Sequence, residues 1–107
     1  MKMTFQVLTV LRALLDEPTK QRYGLDLSQQ TGLASGTLYP ILMRLERAGW
    51  VESDWENSEI HESAGRPRRR YYALSENGAV RARIAVAEKD GASRAAALWR
   101  GKPESAQ

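Results

Sequence analysis

Residues 35–50 read SGTLYPILMRLERAGW, and the pattern of apolar residues in this stretch decides the fold. Four aliphatic residues fall at positions i, i+3, i+4 and i+7: Leu38, Ile41, Leu42 and Leu45. This spacing predicts an amphipathic helix over about residues 35–48, with Ser35 as its N-cap and Gly49 as its terminator. The opposite face presents polar and aromatic side chains to solvent or to a partner: Thr37, Tyr39, Arg44 and Arg47.

Pro40 lies inside this predicted helix, although proline lacks the N–H group that a helix interior requires. With Ser35 as the cap, the group that loses its partner is the carbonyl of Gly36. That carbonyl lies near the start of the helix, where water can satisfy it. Pro40 therefore indicates an exposed N-terminal end, with Thr37 and Tyr39 in its opening turns.

Two helices are predicted before this one. Residues 4–16 have helical periodicity, and Thr4 is a suitable N-cap. Their apolar stripe comprises Phe5, Leu8, Leu11 and Leu15. Residues 19–23 form a short polar connection, and a second helix over about 24–31 ends at Gly32, because glycine adopts the left-handed conformation without strain.

After the third helix the apolar period shifts towards two. Residues 50–55 and 68–74 alternate, which predicts an antiparallel hairpin with Tyr72 and Leu74 on its buried face. The polar segment between them is too long for a tight turn, so we expect a long, flexible tip. Ser75 is then the predicted N-cap of a last helix.

The last helix carries a thin apolar seam made mostly of small residues: Val80, Ile84, Ala87, Gly91, Ala95 and Leu98. Gly91 is expected to bend or break the helix, at about 1 kcal/mol relative to alanine. The segment after Trp99 is expected to fray.

Composition excludes several classes of protein. The chain has 107 residues, 42% of them hydrophobic and 27% charged, which is typical of one small globular domain. It has no cysteine and one histidine, His61, which excludes disulfides, thiolate zinc sites and multi-histidine metal sites. No nucleophile–base pair is apparent, so we expect no enzyme activity, metal or cofactor. Arg12 and Asp16 interrupt the apolar opening segment, which predicts a soluble helix in a cytoplasmic protein.

The net charge of +3 is unevenly distributed. The segment RPRRR at residues 66–70 holds four arginines in five positions. Residues 52–62 instead contain the acidic side chains Glu52, Asp54, Glu56, Glu59 and Glu62. A basic strip beside an acidic loop favours a polyanionic partner, and a simple solvated face is the alternative.

The order helix, short helix, helix, hairpin, helix is that of a winged helix-turn-helix, a fold that is mainly α with a small β-hairpin. In this module the third helix enters the DNA major groove by its N-terminal end. The basic strip falls in the hairpin, where it can reach phosphates. We therefore predict a DNA-binding domain over residues 1–74, one C-terminal helix over 75–100 and a flexible tail over 101–107.

Three motifs also resemble the PadR-type transcriptional regulators: YGLDL at 23–27, SGTLYPILMRLERAGW at 35–50 and GRPRRRYYALSENG at 65–78. The resemblance spans roughly residues 5–80. It implies a homodimer that binds double-stranded DNA, with the last helix as a dimerisation element, as in the short-tailed subgroup. The seam on the last helix is thin, so the partner's first helix is expected to contribute. The predicted dimerisation residues are Leu8, Leu11, Leu15, Val80, Ile84, Ala87, Ala95 and Leu98.

The candidate DNA-binding residues are Ser35, Thr37, Tyr39, Arg44, Arg66, Arg68, Arg69 and Arg70. Ser35 could instead only cap its helix, and Tyr39 could pack at the edge of the core. Strand alternation directs Arg69 outwards, and one or two of the arginines could pair with Glu52 or Asp54 across the hairpin. We expect Glu56 and its acidic neighbours near the wing tip to repel phosphates, so that the tip points away from DNA or stays mobile.

The three tryptophans raise the question of an aromatic ligand. Some short-tailed relatives bind planar compounds through a tryptophan on the last helix, but that position falls near Lys89 here. Trp50 and Trp55 are interpreted as hairpin packing residues, and His61 as an exposed histidine. The function predicted is a dimeric repressor that binds a pseudo-palindromic operator, and any small-molecule effector is unknown. The alternative is a winged-helix module that binds protein without reading DNA.

Overall fold

The computed structural model describes residues 1–101, apart from the side chains of Ile60, His61 and Arg100. Within this part the elements are α1 (Phe5–Asp16), β1 (Arg22–Tyr23), α2 (Gly24–Thr31), α3 (Ser35–Arg47), β2 (Val51–Trp55), α4 (Ser58–Ala64), β3 (Arg70–Leu74) and α5 (Glu76–Gly101). The strands form an antiparallel sheet in the order β1–β3–β2. The mainly helical winged helix-turn-helix class is thus confirmed. The predicted tail beyond Gly101 and the side chain of His61 lie outside the described residues.

The core forms where one face of α3 meets α1. The stripe predicted for α3 is fully enclosed: Leu38, Ile41, Leu42 and Leu45. Helix α1 also contacts α2 and α5. Burying an aliphatic side chain stabilises a fold by about 1.5–3 kcal/mol, so this cluster fixes the rotation of α3 about its axis. No helix in the described part of the chain is long and apolar enough to cross a membrane.

The predicted ends of α1 and α2 are confirmed. The Thr4 hydroxyl accepts a hydrogen bond from the Val7 amide at 3.1 Å. Gly32 has φ +74° and donates its N–H to the Ser28 carbonyl, as a left-handed C-terminal residue does. The prediction for Phe5 is wrong: its side chain is 81% exposed, because Val7, Val10 and their neighbours form the buried face of α1 instead.

The prediction that Ser35 caps α3 is also wrong. Ala34 is the N-cap, and its carbonyl accepts from the amides of Thr37 and Leu38 at 2.9 Å each. Ser35 is the first helical residue, and no side-chain hydrogen bond caps the helix. Pro40 therefore lies one residue deeper than predicted. It still removes only the bond to the carbonyl of Gly36, an exposed residue that water can reach.

Two connections differ from the sequence-based expectation. Between β2 and β3, residues 58–64 form the helix α4 instead of an irregular tip. The Asn57 side chain accepts from the Glu59 amide at 2.8 Å and so caps the start of α4. Residues 19–23 are not only a connection, because Arg22 and Tyr23 pair with β3. A strand of two residues is too short to show periodicity.

Helix α5 begins where predicted, with the Ser75 hydroxyl accepting from the Gly78 amide at 2.9 Å. It continues through Gly91 without a break. Ala82 is fully buried and Val86 packs against the core, so this face joins α5 to the domain. The predicted seam lies elsewhere on the helix and is exposed in the single chain. Arg12 and Asp90 form an ion pair at 2.6 Å between α1 and α5.

Candidate nucleic-acid interface

The N-terminal end of α3 is buried on the side that faces the core and exposed on the opposite side. Leu38 and Ile41 are buried, whereas Ser35, Gly36 and Pro40 are exposed and Thr37 is half-buried. A helix start carries N–H groups without partners and a partial positive charge, both of which attract phosphate oxygens. This end of α3 therefore offers hydroxyl and amide groups to an anionic ligand.

Tyr39 combines the two roles weighed from the sequence. Its hydroxyl lies against Gly24 so closely that a Cβ atom built on Gly24 would stand 2.1 Å from it. Its ring is 6.3 Å from that of Tyr72 in a tilted arrangement. The side chain nevertheless keeps 40% of its surface exposed. Tyr39 thus packs across α2, α3 and β3 while presenting a face to solvent.

A cleft of about 370 Å³ opens between the start of α2, α3 and the wing, which we define as residues 51–74. Its walls contain the rings of Tyr23, Tyr39, Trp55 and Tyr72 and the guanidinium groups of Arg68, Arg69 and Arg70. The structure therefore brings Tyr39 together with three of the four predicted wing arginines. Ser35, Thr37, Arg44 and Arg66 do not line this cleft.

The three cleft arginines lie over aromatic rings. The guanidinium carbon of Arg69 is 4.5 Å from the ring centroid of Tyr23. Those of Arg68 and Arg70 are 5.8 Å and 5.0 Å from Trp55. Each contact contributes about 0.5–1 kcal/mol at exposed sites and limits the rotamers of the arginine. Trp55, interpreted as a packing residue, is 49% exposed and serves as the surface on which two arginines rest.

Arg70 has further polar contacts on the same face. Its Nε donates to the Ser53 hydroxyl at 3.1 Å, and its terminal nitrogen lies 3.7 Å from a carboxylate oxygen of Glu46 on α3. The alternative of Glu52 or Asp54 as ion-pair partner does not hold for Arg70, which pairs with Glu46. Both alternate to the other face of β2, since the register places Trp55 opposite Arg70 and Ser53 opposite Tyr72.

Arg66 pairs with Glu56, and this pair corrects the expectation for the acidic loop. Glu56 is 1% exposed, so its carboxylate does not face solvent. Its carboxylate accepts hydrogen bonds from both terminal nitrogens of Arg66 and from the Arg69 amide. The bonds from Arg66 hold the pKa of Glu56 below its ordinary value, although burial acts in the opposite direction. Glu59 and Glu62 are exposed.

Tyr23 is the residue whose importance sequence reasoning underestimated. Its ring stacks on Tyr71 with centroids 4.4 Å apart, and the two hydroxyl oxygens are 2.6 Å apart. This hydrogen bond raises the pKa of Tyr71. The Tyr-Gly pair at 23–24 was the available signal, because Gly24 leaves room for Tyr39 beside Tyr23.

Arg44 is exposed, and its Nε lies 3.4 Å from the Pro40 carbonyl, so its side chain follows α3 towards the N-terminal end.

The predicted dimerisation residues fall into two groups. Leu8 and Leu11 are buried in the chain's own core, and Leu15 is half-buried. The α5 residues are exposed instead: Val80, Ile84, Ala87, Ala95 and Leu98.

Several solved structures share this architecture. A PadR family transcription regulator from Clostridium difficile R20291 is 24% identical, covers 92% of this chain and 100% of its own, and superposes with a TM-score of 0.73. A protein from Streptococcus mutans UA159 is 25% identical over 97% of this chain and 98% of its own, with a TM-score of 0.70. A PadR-like transcriptional regulator from Bacillus cereus ATCC 14579 is 18% identical over 91% and 92%, with a TM-score of 0.69.

The family assignment rests on sequence. No curated protein matches the chain. The profile of the Transcriptional regulator PadR-like family matches residues 10–84, which is well over half of the sequence and includes the helix-turn-helix, the wing and the start of α5. This confirms the resemblance seen in the three motifs and implies DNA-binding regulation, not catalysis. The chain belongs to the PadR-like family of transcriptional regulators.

Proposed function

We propose that this PadR-type regulator is a cytoplasmic homodimer that represses transcription by binding a pseudo-palindromic operator in double-stranded DNA. The observation that carries the proposal is the cleft, because it joins the exposed Tyr39 on α3 to Arg68, Arg69 and Arg70 on the wing. One ligand that spans both elements is a DNA duplex, with bases facing the helix start and phosphates facing the wing.

The proposed contacts divide between base edges and phosphates. Ser35, Thr37 and Tyr39 enter the major groove, where hydroxyl groups can bond to base edges or phosphates. Arg44 flanks the backbone beside α3. Arg68, Arg69 and Arg70 contact phosphates along the wing, and Arg66 contributes from its ion pair with Glu56.

The exposed seam on α5 supports the dimer. Val80 and Ile84 are each 51% exposed and Leu98 is 66% exposed, so a second chain would remove apolar surface from water. Ala87 and Ala95 allow close helix approach between these larger residues. Leu15 adds to the same contact, whereas Leu8 and Leu11 shape it from inside the core.

A gel shift with the DNA upstream of the chain's own gene tests the proposal. We expect a complex of one dimer on two half-sites about 34 Å apart, one helical turn. The triple variant Thr37→Ala, Tyr39→Ala, Arg69→Ala should lose specific binding, whereas Arg83→Ala, an exposed arginine on α5, should not. Full affinity in the triple variant would contradict the assigned surface. Binding that is unaffected by salt would instead favour a protein-interaction module.

A further inference from the structure

Glu56 occupies an unusual place for an acidic residue in a basic wing. Among the residues whose burial is described, it is the single charged side chain that is buried. It follows directly after β2 and precedes α4, and Arg66 lies where the chain returns from α4 towards β3. Glu56 and Arg66 therefore pair at the two ends of the segment 57–65, which we call the neck of the wing.

The contacts of Glu56 reach across this neck through both backbone and side chain. Its amide donates to the Arg69 carbonyl at 2.9 Å, and its carbonyl accepts from the Nε of Arg68 at 3.2 Å. One carboxylate oxygen accepts from the Arg69 amide at 3.1 Å and from Arg66. The other accepts from Arg66 at 3.1 Å. One glutamate thus restrains three wing arginines.

The same carboxylate also lies close to Tyr23, a residue that lines the cleft. The Tyr23 hydroxyl lies 3.4 Å from the second carboxylate oxygen and 2.6 Å from the Tyr71 hydroxyl. The Tyr23 ring in turn supports the guanidinium of Arg69. Glu56 therefore restrains Arg69 twice, directly through its amide and indirectly through Tyr23.

We propose that Glu56 is a positioning residue for DNA binding, whose buried carboxylate holds the Arg66–Arg69 segment and Tyr23 in the geometry that phosphates require. This inference rests on the proposed DNA interface. It has an unusual consequence, because a negative charge then strengthens binding to a polyanion. Because a carboxylate and a phosphate repel each other, charge alone predicts that removing an acidic residue near DNA tightens binding.

The substitution Glu56→Gln separates these two effects. It keeps the size of the side chain, removes one negative charge and directs an amide NH₂ group at the donors of Arg66 and Arg69. Arginine side chains that are no longer held must be ordered when DNA binds, and this cost leaves some of their phosphate contacts unmade. For two such arginines we expect affinity for the operator to fall by roughly 5- to 100-fold.

Glu52→Gln is the matched control. Glu52 is an exposed β2 residue that makes no side-chain hydrogen bond or ion pair with the described part of the chain, and its substitution changes net charge equally. We expect its affinity to stay within about twofold of wild type or to increase slightly. Tyr23→Phe is the second test variant, because it removes only the hydroxyl while keeping the ring under Arg69. A smaller loss of affinity is expected for it.

The salt dependence distinguishes positioning from a general loss of folded protein. The plot of log affinity against log salt has a negative slope, and each phosphate contact that is lost reduces its magnitude by about 0.9. We expect Glu56→Gln to reduce the magnitude of this slope, although the protein's net charge becomes one unit more positive. Partial unfolding, checked by circular dichroism, would reduce affinity and leave the slope unchanged.

Three results would overturn the inference: operator binding by Glu56→Gln as tight as wild type, weaker binding with an unchanged slope, or an equal loss in Glu52→Gln. If Glu56→Gln does not fold, Tyr23→Phe decides, and unchanged affinity and slope in that variant overturn the inference. Absence of salt-dependent binding by the wild-type protein would instead refute the proposed function itself.

Discussion

Helices α1 and α5 both carry apolar residues at helical spacing, yet they use them differently. The apolar face of α1 is enclosed by α2, α3 and α5, and Val10 and Leu11 have no exposed surface. The seam of α5 lies open, and only its opposite face, around Ala82, packs on the domain. Helical spacing therefore identifies an apolar face but does not say whether the same chain or a second one covers it.

The first prediction compares a leucine from each helix. Leu11→Ala creates a cavity in the core and should lower the free energy of unfolding by about 2–5 kcal/mol. Leu98→Ala removes a side chain that is 66% exposed, so at low protein concentration the loss should stay within about 0.5 kcal/mol. Urea denaturation followed by circular dichroism measures both. Equal losses of unfolding free energy would show that the apolar faces of α1 and α5 are enclosed to the same extent.

The second prediction compares two glycines on α5. A Cβ atom on Gly78 would lie 1.8 Å from the carbonyl oxygen of Trp50, so Gly78→Ala forces the backbone apart and should cost about 1–3 kcal/mol or more. Gly91 has no neighbour within 4 Å of such an atom. Gly91→Ala should therefore stabilise the single chain, by up to about 1 kcal/mol. In thermal denaturation, Tm should fall for Gly78→Ala and rise for Gly91→Ala. A change in the same direction for both variants would contradict this account of how α5 packs on the domain.

The third prediction tests the open seam. The double variant Ile84→Ser, Leu98→Ser should raise the dissociation constant of the proposed dimer by roughly 10- to 100-fold, because about 1.4 kcal/mol of lost apolar burial changes it tenfold. Sedimentation velocity at micromolar concentration measures this. Leu25→Ser removes a leucine that is 61% exposed on α2 and should leave dimerisation unchanged. A dimer that survives in the double variant would place the interface elsewhere.

The smallest effect is expected at the ion pair that joins the two helices. The hydrogen bond from Arg12 lowers the pKa of Asp90, so the folded state favours the ionised carboxylate. A lowered pKa contributes stability above the ordinary aspartate range, and that contribution is lost as pH falls through the lowered value. Asp90→Asn should lower Tm slightly at neutral pH and not in strong acid.

The control for this pair is Glu88→Gln, a neighbouring exposed residue that forms no ion pair with the described part of the chain. Its Tm should change little at any pH, because exposed charges are screened by solvent. A decrease for Asp90→Asn that persists unchanged in acid would mean that the carboxylate charge is not its cause.

Much of the fold follows from the sequence alone, because its signals are local. The leucine spacing in α3, the Thr4 cap and the positive φ of Gly32 each depend on residues within one or two turns. Alternation in β3 likewise identified Tyr72 and Leu74 as buried. These elements in order were sufficient to predict the winged helix-turn-helix, and the resemblance of three sequence motifs indicated the family.

The arrangement of the wing depended on tertiary structure. Glu56 meets Tyr23, which lies 33 positions earlier, and strand β1 exists only because Arg22 and Tyr23 pair with β3. No periodicity encodes such contacts, so a glutamate that should repel DNA by its charge is instead buried among arginine donors. The sequence by itself determined which elements form, since short-range propensity and apolar spacing decide that. Only the tertiary structure decided which charges line the cleft and which neutralise one another, because distant residues must first be brought together.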